Sequence, residues 1–259
     1  MNLFNPDVLF MIAKTITTFP PLTEGILLKR YKRFLADVEL ENGEVITAHC
    51  ANTGPMKGVL NPGGLVRLKF APSPSRKLSW SWEQSFVNSV EGNCWVGVNT
   101  SFANKLISLA IKAGLFDKKL GQINEIRREV VYGIEKKSRI DLLLTPKNSN
   151  KDQRKIFVEV KNTTWCKGHK ALFPDTITKR GQKHLRELIN ELPSSRAVLV
   201  PCISRNDLKV FSPADSADSE YADLFRLAVK EGVEILPCAF SFFKDHIKWE
   251  GFLPFELME

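Results

Sequence analysis

The stretch IFVEVK (156–161) decides the fold of the C-terminal part of this 259-residue chain. Side chains alternate between the two faces of a β-strand, so Glu159 and Lys161 share one face with Phe157. A strand this apolar is typical of a sheet interior, where an unpaired carboxylate or ammonium is very costly. These two charged groups must therefore be paired with each other, bind a metal ion or face a cleft.

Around this strand, apolar spacing predicts an alternation of helices and strands. Phe102, Leu106 and Leu109 recur at helical spacing, which predicts a helix near 101–114 that ends at Gly114. Further strands are predicted at 129–133, 139–144, 197–203 and 233–238, and further helices contain Leu185–Leu192 and Tyr221–Val229. The order α-β-β-β-α-β-(α-β) predicts an α/β domain over residues 91–259.

Residues 20–90 have a different pattern, with short strand-like segments separated by turns. The segments GILLKRY, FLADVEL, VITAHC, GLVRLKF and KLSWSW are rich in β-branched and aromatic residues. Asn42-Gly43 is a hairpin signal, because type I′ turns need positive φ at both central positions. Several strands within so few residues predict a small OB-like β-barrel. Residues 1–19 are interpreted as an N-terminal arm.

A second carboxylate is expected beside Glu159. Asp141 lies eighteen residues earlier in the strand IDLLL, and these two strands are expected to pair as neighbours. Two adjacent carboxylates repel unless a cation lies between them, and oxygen ligands suit Mg²⁺ or Mn²⁺. The sequence therefore predicts a divalent-metal site that Lys161 also faces.

This Asp…Glu-x-Lys arrangement, after a helix and on adjacent strands, resembles the core of PD-(D/E)XK nucleases. The resemblance implies that Asp141, Glu159 and the carbonyl of Val160 bind the metal, and that Lys161 orients the attacking water or offsets charge at the phosphorus. Metal ions assist such reactions by activating water and binding phosphate oxygens. Glu125 and Glu129 are candidate additional ligands, but exposed surface positions are the favoured interpretation for both.

Longer strings resemble the sugar-fermentation-stimulation protein A (SfsA) family. They are RYKRFLADV (30–38), HCANTGPM (49–56), RKLSWSWE (76–83), WVGVNT (95–100), SRIDLLL (138–144), FVEVKNTTW (157–165) and FPDTITKRGQKHLREL (173–188). The resemblance implies an N-terminal OB-fold, a C-terminal PD-(D/E)XK-like domain, DNA binding and a link to the regulation of sugar-utilisation genes. Ala51 and Trp165 depart from the family pattern, but neither is a predicted site residue.

Positive charge is concentrated within residues 161–186, where Asp175 is the one acidic residue. Lys179, Arg180, Lys183 and His184 open a predicted helix, whose N-terminal N–H groups favour anions. Phosphate contact beside the metal site is the favoured interpretation, and a solvated helix face is the alternative. Asp175 is either a neighbour of the metal site or a helix cap.

The barrel offers a second candidate nucleic-acid surface. Arg30, Tyr31, Lys32 and Arg33 place three cations around an aromatic ring in a predicted barrel strand. OB-folds bind single strands with basic grooves and stacking aromatics, which would make Tyr31 a platform for a base. The alternative places Tyr31 in the core with the cations solvated. Trp80 and Trp82 alternate onto one face and are expected in the core.

Composition limits the class of protein. The chain has 37 Lys and Arg against 29 Asp and Glu, a net charge of +8, and 43% hydrophobic residues, which is ordinary globular composition. It has neither an apolar run of bilayer length nor a signal-peptide pattern, so a cytoplasmic protein without membrane association is expected. Its five widely spaced cysteines are interpreted as reduced structural thiols.

The sequence therefore predicts a DNA-binding protein with a metal-dependent nuclease site. Single- and double-stranded DNA are both open as substrates. The alternatives are a non-catalytic DNA-binding transcriptional regulator on the same scaffold and an RNA-binding factor, because OB-folds accept both nucleic acids.

Overall fold

Alternating apolar residues in the first part of the chain close a small β-barrel. The computed structural model describes residues 14–89, 92–133 and 136–259. The first seven strands are β1 (Lys14–Thr18), β2 (Thr23–Tyr31), β3 (Leu35–Leu40), β4 (Val45–Cys50), β5 (Leu65–Phe70), β6 (Trp80–Ser89) and β7 (Gly92–Gly97). One sheet has the order β4-β3-β2-β5-β6-β7, and an additional β4–β6 pairing closes β2–β6 into a five-stranded barrel. The predicted OB-like barrel is confirmed.

The barrel is filled by every second side chain of its strands. Leu27, Ala36 and Val38 are fully buried, as is Trp82, whose indole N–H donates to the carbonyl of Gln84 at 3.0 Å. Trp80 is half-buried and packs its ring 4.7 Å from that of Phe70. The predicted burial of Trp82 is therefore confirmed, whereas Trp80 is only partly buried.

The rest of the chain forms an α/β domain with helices on both faces of a long sheet. Its helices are α1 (Ser101–Lys112), α2 (Asp117–Leu120), α3 (Lys179–Asn190) and α4 (Ser219–Glu231). Its strands are β8 (Ile123–Tyr132), β9 (Ser138–Pro146), β10 (Ile156–Thr163), β11 (Cys166–Lys167), β12 (Lys170–Phe173), β13 (Arg196–Ile203), β14 (Val210–Pro213), β15 (Glu234–Ile235), β16 (Cys238–Phe242) and β17 (His246–Phe252).

The main sheet has the order β1-β17-β16-β13-β10-β9-β8, with β15 beside β13. One apolar core, which includes Leu106 of α1, covers one face of this sheet, and a second, which includes Leu185 of α3 and Phe225 of α4, covers the other. β10 pairs antiparallel with β9 and parallel with β13, so it is an interior strand. The predicted α/β domain is confirmed.

Three features differ from the expected arrangement. Residues 1–13 of the predicted N-terminal arm lie outside the described residues, and β1, at its end, pairs antiparallel with β17. β7 pairs with β6 in the barrel sheet, beyond the expected boundary at residues 90 and 91. β11, β12 and β14 form a separate three-stranded sheet that the sequence did not predict. The proposed domain boundaries themselves stay predictions.

Within the described residues, no helix has both the length and the apolar character needed to cross a membrane. The longest of these helices, α4, has 13 residues.

Candidate metal centre

Asp141 lies where the pairing of β9 with β10 ends. The last paired residues are Leu142 and Val158, so Asp141 and Glu159 are the next positions on the two strands. Oδ2 of Asp141 accepts a hydrogen bond from the backbone N–H of Val160 at 2.8 Å. Oδ1 accepts from the Asn104 side chain on α1 at 2.6 Å. These two donors orient the Asp141 carboxylate toward β10.

Glu159 lies beneath α3, with only 2% of its surface exposed. Its Oε1 accepts a hydrogen bond from Nζ of Lys161 at 2.6 Å and contacts Nδ1 of His184. Lys161 Nζ also lies 3.2 Å from His184 Nδ1, so the three groups form one polar cluster. Oε2 of Glu159 is buried and has no hydrogen-bond partner among the described residues.

The two carboxylates interact electrostatically. Burial raises the pKa of Asp141 to about 6, and the negative charge of Glu159 adds to this shift. Burial also raises the pKa of Glu159, but the charge of Lys161 and the contact with His184 outweigh it and hold the pKa below its usual value. The negative charge of Asp141 is therefore disfavoured by burial and by repulsion from Glu159. An added cation would reduce this repulsion.

A polar cavity of about 270 Å³ lies beside these residues, between the barrel and the α/β domain. The barrel contributes Asn52, α1 contributes Asn104, and β10 contributes Val160 and Lys161 to its wall. We call it the interdomain cavity. Lys161 and Val160 therefore line the interdomain cavity, whereas Asp141 and Glu159 are not among its lining residues.

Asp175 also lines the interdomain cavity, and its surroundings settle which of its two predicted roles it has. Its Oδ2 accepts a hydrogen bond from the backbone N–H of Met56 in the barrel at 3.2 Å. The N-cap of α3 is Thr178, whose side chain accepts from the N–H of Gly181. Asp175 is therefore a neighbour of the site that fastens the two domains together, and it is not the helix cap.

The additional acidic candidates do not join the cluster. Glu125 and Glu129 lie on β8 and are exposed, as favoured from the sequence. Glu129 has a φ of +52°, and its carbonyl accepts a hydrogen bond from Arg139. Among the described residues, no three His, Cys, Asp or Glu side chains are grouped so that they could hold a metal. A metal here would need backbone or solvent ligands in addition to Asp141 and Glu159.

The predicted basic residues of α3 are largely engaged with carboxylates. Lys179 pairs with Glu220 at 2.8 Å, and Lys183 lies 3.6 Å from Glu187. Arg180 donates from Nε to Nε2 of His184 at 3.4 Å and has no carboxylate partner in the described part of the chain.

His184, with 5% of its surface exposed, faces Glu159 rather than solvent. The sequence had offered Lys179, Arg180, Lys183 and His184 as phosphate contacts. This remains a prediction, but for His184 the structure instead favours a role in holding Glu159.

The four barrel residues proposed to contact nucleic acid were expected to lie in one strand. Only two of them do, because β2 ends at Tyr31. Lys32 and Arg33 form a turn with φ values of +48° and +66°. Arg30 donates to the carbonyls of Arg33, Asn52 and Gly54, which fixes the loop after β4.

Two more of these barrel residues are held by internal bonds. Arg33 donates to the carbonyl of Thr53 at 3.0 Å, and the Tyr31 hydroxyl donates to Asp37 at 3.1 Å. Lys32 remains exposed. Binding of nucleic acid by these four residues stays a prediction.

Sequence reasoning did not find Asn104 or the contact of His184 with Glu159. Asn104 has a weak signal, because it is a polar residue within an otherwise apolar helix pattern. The His184–Glu159 contact joins residues 25 positions apart and depends on how α3 packs over β10. No local pattern specifies that packing.

Comparison with known proteins assigns the family. Residues 28–98 match the family model described as the SfsA N-terminal OB domain, and residues 101–246 match that described as the sugar fermentation stimulation protein RE domain. A sugar fermentation stimulation protein homolog from one strain of Prochlorococcus marinus is 70% identical over 95% of this chain and 98% of its own. The homolog of Synechococcus sp. (strain CC9311) is 62% identical over 93% and 97%.

A solved structure agrees with this assignment. Pyrococcus furiosus SfsA in complex with Ca²⁺ superposes with a TM-score of 0.81 at 26% identity, over 94% of this chain and all of that one. The two matched family models, the close relatives and the shared architecture together show that the chain belongs to the sugar fermentation stimulation protein (SfsA) family.

Proposed function

We propose that this protein is a divalent-metal-dependent nuclease that acts on DNA at the site formed by Asp141, Glu159 and Lys161. The single observation that supports it most is the Glu159 carboxylate, buried beside Asp141 with Oε2 lacking a donor. Buried polar atoms usually have partners, so this oxygen is available to a ligand that the chain does not supply. A cation suits this oxygen, because Asp141 and Glu159 repel each other without one.

The residues present fit Mg²⁺ or Mn²⁺. Asp141, Glu159 and the Val160 carbonyl would hold the ion with oxygen atoms, which both metals prefer. A bound divalent ion supplies activation of water and neutralisation of phosphate charge. The Pyrococcus furiosus relative was solved with Ca²⁺, which supports a divalent cation in this family.

The chain's own groups have separate tasks in this proposal. Lys161 Nζ is held by Glu159, and Lys161 lines the interdomain cavity, where its ammonium group would orient the attacking water. Asn104 holds Asp141, and His184 holds Glu159. Arg180, together with Lys179 and Lys183 once these leave their carboxylate partners, would contact DNA phosphates.

Cleavage assays with matched variants test this proposal. Labelled single- and double-stranded DNA, and RNA of the same sequence, are incubated with the full chain and Mg²⁺, Mn²⁺ or EDTA. We expect metal-dependent DNA cleavage that falls at least about a hundredfold in Asp141→Asn and Lys161→Ala, because each removes a group from the reaction centre. Glu125→Gln, an exposed carboxylate of β8, is the control and should cleave normally.

Metal binding is measured in parallel by calorimetry with Mn²⁺, so that loss of binding is separated from loss of chemistry. Asp141→Asn should weaken Mn²⁺ binding, whereas Lys161→Ala should retain it. Circular dichroism checks that each variant is folded. Full cleavage by Asp141→Asn would contradict the proposal.

One observation favours a second function. The oxygens of Asp141 already accept two hydrogen bonds, and Lys161 already neutralises Glu159. A protein that uses the nuclease scaffold only to bind DNA, as a regulator of sugar-utilisation genes, would need no metal. That alternative predicts DNA binding with a steep salt dependence, equal in wild type and Asp141→Asn, with no cleavage under any condition.

A further inference from the structure

The barrel has an open groove of about 730 Å³ on its outer surface. It lies between the β2–β3 turn, the end of β4 and the β5–β6 connection. Its lining residues are Lys32, Phe34, Leu35, His49, Arg76, Lys77 and Leu78. None of these seven is acidic, and three carry a permanent positive charge. We call this surface the barrel groove.

Phe34 gives the barrel groove an exposed aromatic face. Its relative exposure is 45%, although the residue follows a turn in a well-packed barrel. Leu35 and Leu78 beside it are half-buried, so they add an apolar floor. A single exposed apolar side chain is ordinary, but here ring, floor and cations occur together. This combination suits a ligand that has a flat unsaturated ring and a negative charge.

The cations of the barrel groove are available, unlike Lys179 and Lys183 of α3, which lie beside carboxylates. Lys32 and Lys77 are exposed, and neither has an ion-pair partner within the described ranges. Arg76 donates to the carbonyl of Ala71 at 3.0 Å and to the Ser81 hydroxyl at 2.7 Å, which holds its guanidinium in place without neutralising it. No acidic side chain lines the barrel groove, so its positive charge is not cancelled within the groove.

The ring proposed from the sequence, Tyr31, is a weaker candidate for stacking. Its hydroxyl is bonded to Asp37, and Nζ of Lys29 lies 5.4 Å from its ring centroid. Arg30 and Arg33 donate to backbone carbonyls, so their charges serve the loop after β4. Phe34 has no such engagement among the described residues, which moves the aromatic platform from Tyr31 to Phe34.

We infer that the barrel groove binds single-stranded DNA, with an unpaired base stacked on Phe34 and backbone phosphates beside Lys32 and Lys77. Base–aromatic stacking needs an exposed base face, which a duplex hides within its stack. The inference rests on the proposed function for the class of ligand, and adds where the strand lies and that it is unpaired. The barrel groove is then a second contact, distinct from the carboxylate site.

Fluorescence anisotropy of the full chain with a labelled twelve-nucleotide strand in EDTA tests the inference, because no cleavage occurs without metal. We expect Phe34→Ala to weaken binding at least about fivefold, since stacking contributes about 1–3 kcal/mol per base. Phe34→Tyr should bind like the wild type. Phe70→Ala is the matched control, since Phe70 is 56% exposed on the same barrel but outside the lining.

The single variant Lys77→Glu should also weaken binding, most strongly at low salt, because phosphate contacts depend on ionic strength. A 2-aminopurine base in the strand should lose fluorescence with the wild type and with Phe34→Tyr, but not with Phe34→Ala. Affinity of Phe34→Ala within twofold of the wild type would overturn the inference, as would equal loss in Phe70→Ala. DNA cleavage by both wild type and Phe34→Ala with unchanged affinity would refute the groove but leave the nuclease intact. Binding that depends on Phe34, with no cleavage under any condition, would support the groove and refute the nuclease.

Discussion

Arg205 and Asp207 form an ion pair that is almost completely removed from solvent, with side-chain exposures of 1% and 4%. Nε of Arg205 lies 2.7 Å from Oδ1 of Asp207, and a second nitrogen contacts Oδ2. Asp207→Asn would leave the guanidinium buried without its counter-charge. We expect a loss of about 3–5 kcal/mol in the free energy of unfolding, measured by urea denaturation. Asp152→Asn, in an exposed pair with Arg154, is the control and should hardly change the midpoint.

The same pair predicts how stability depends on pH. Burial raises the pKa of Asp207, but the bonds and charge of Arg205 outweigh it and hold the pKa below its usual value. A carboxyl with a lowered folded-state pKa stabilises the protein above its unfolded pKa of about 3.9, and this is lost as pH falls through the folded value. The stability gap between wild type and Asp207→Asn should therefore shrink below about pH 4. A gap unchanged from pH 7 to pH 3 would contradict this assignment.

At the scale of elements, the start of α3 positions His184 over Glu159. Thr178 caps this helix by accepting from the Gly181 N–H at 3.1 Å. A methyl group on Gly181 would lie 2.7 Å from Cγ2 of Thr178 and 3.2 Å from the Tyr221 ring on α4. The helix can begin in this place because residue 181 has no side chain.

Gly181→Ala separates helix propensity from packing. Propensity alone predicts a gain of up to about 1 kcal/mol. We expect instead a loss of about 1–3 kcal/mol in the free energy of unfolding, because the added methyl displaces the cap and crowds α4. Asn190→Ala, at the exposed end of the same helix, is the control and should be neutral or slightly stabilising. Thermal unfolding measures the stability of both variants. If Gly181→Ala were more stable than the wild type, α3 would be able to shift and make room for the methyl group.

Element by element, the sequence predicted what local patterns encode. The helix expected over 101–114 is α1, and Gly232, expected to end the last helix, is its left-handed cap with φ of +103°. β1 and β17 were not predicted as strands. β1 pairs with β17 across more than 200 residues, which no local pattern encodes, whereas β17 also pairs with its sequence neighbour β16. For the candidate site, strand alternation placed Glu159 and Lys161 together, but Asn104 depends on how α1 docks, which no local spacing encodes.

At the scale of the molecule, the interdomain cavity exists because the two domains are docked at several separate points. Gln84 donates to the carbonyl of Phe243 at 2.8 Å, and Gly97 N–H donates to the carbonyl of Ser204 at 2.8 Å. On the other side of the cavity, Asp175 accepts from the Met56 N–H. The wall that faces Lys161 is thus made jointly, and neither domain forms the cavity alone.

At Gly97, the docked domains leave no room for a side chain. A methyl group at residue 97 would overlap the ring of Phe242 in β16. The pairing of β16 with β17 holds the backbone of Phe242 in the main sheet. We expect Gly97→Ala to cost about 1–3 kcal/mol, which corresponds to about 2–4 °C in Tm for each kcal/mol. Loosened docking should also expose residues 89–101 to limited proteolysis. Asn93→Ala, on the exposed side of the same strand, should leave both Tm and proteolysis unchanged. If Gly97→Ala matched it, the ring of Phe242 would have room to move, and this contact between the domains would be deformable rather than preformed.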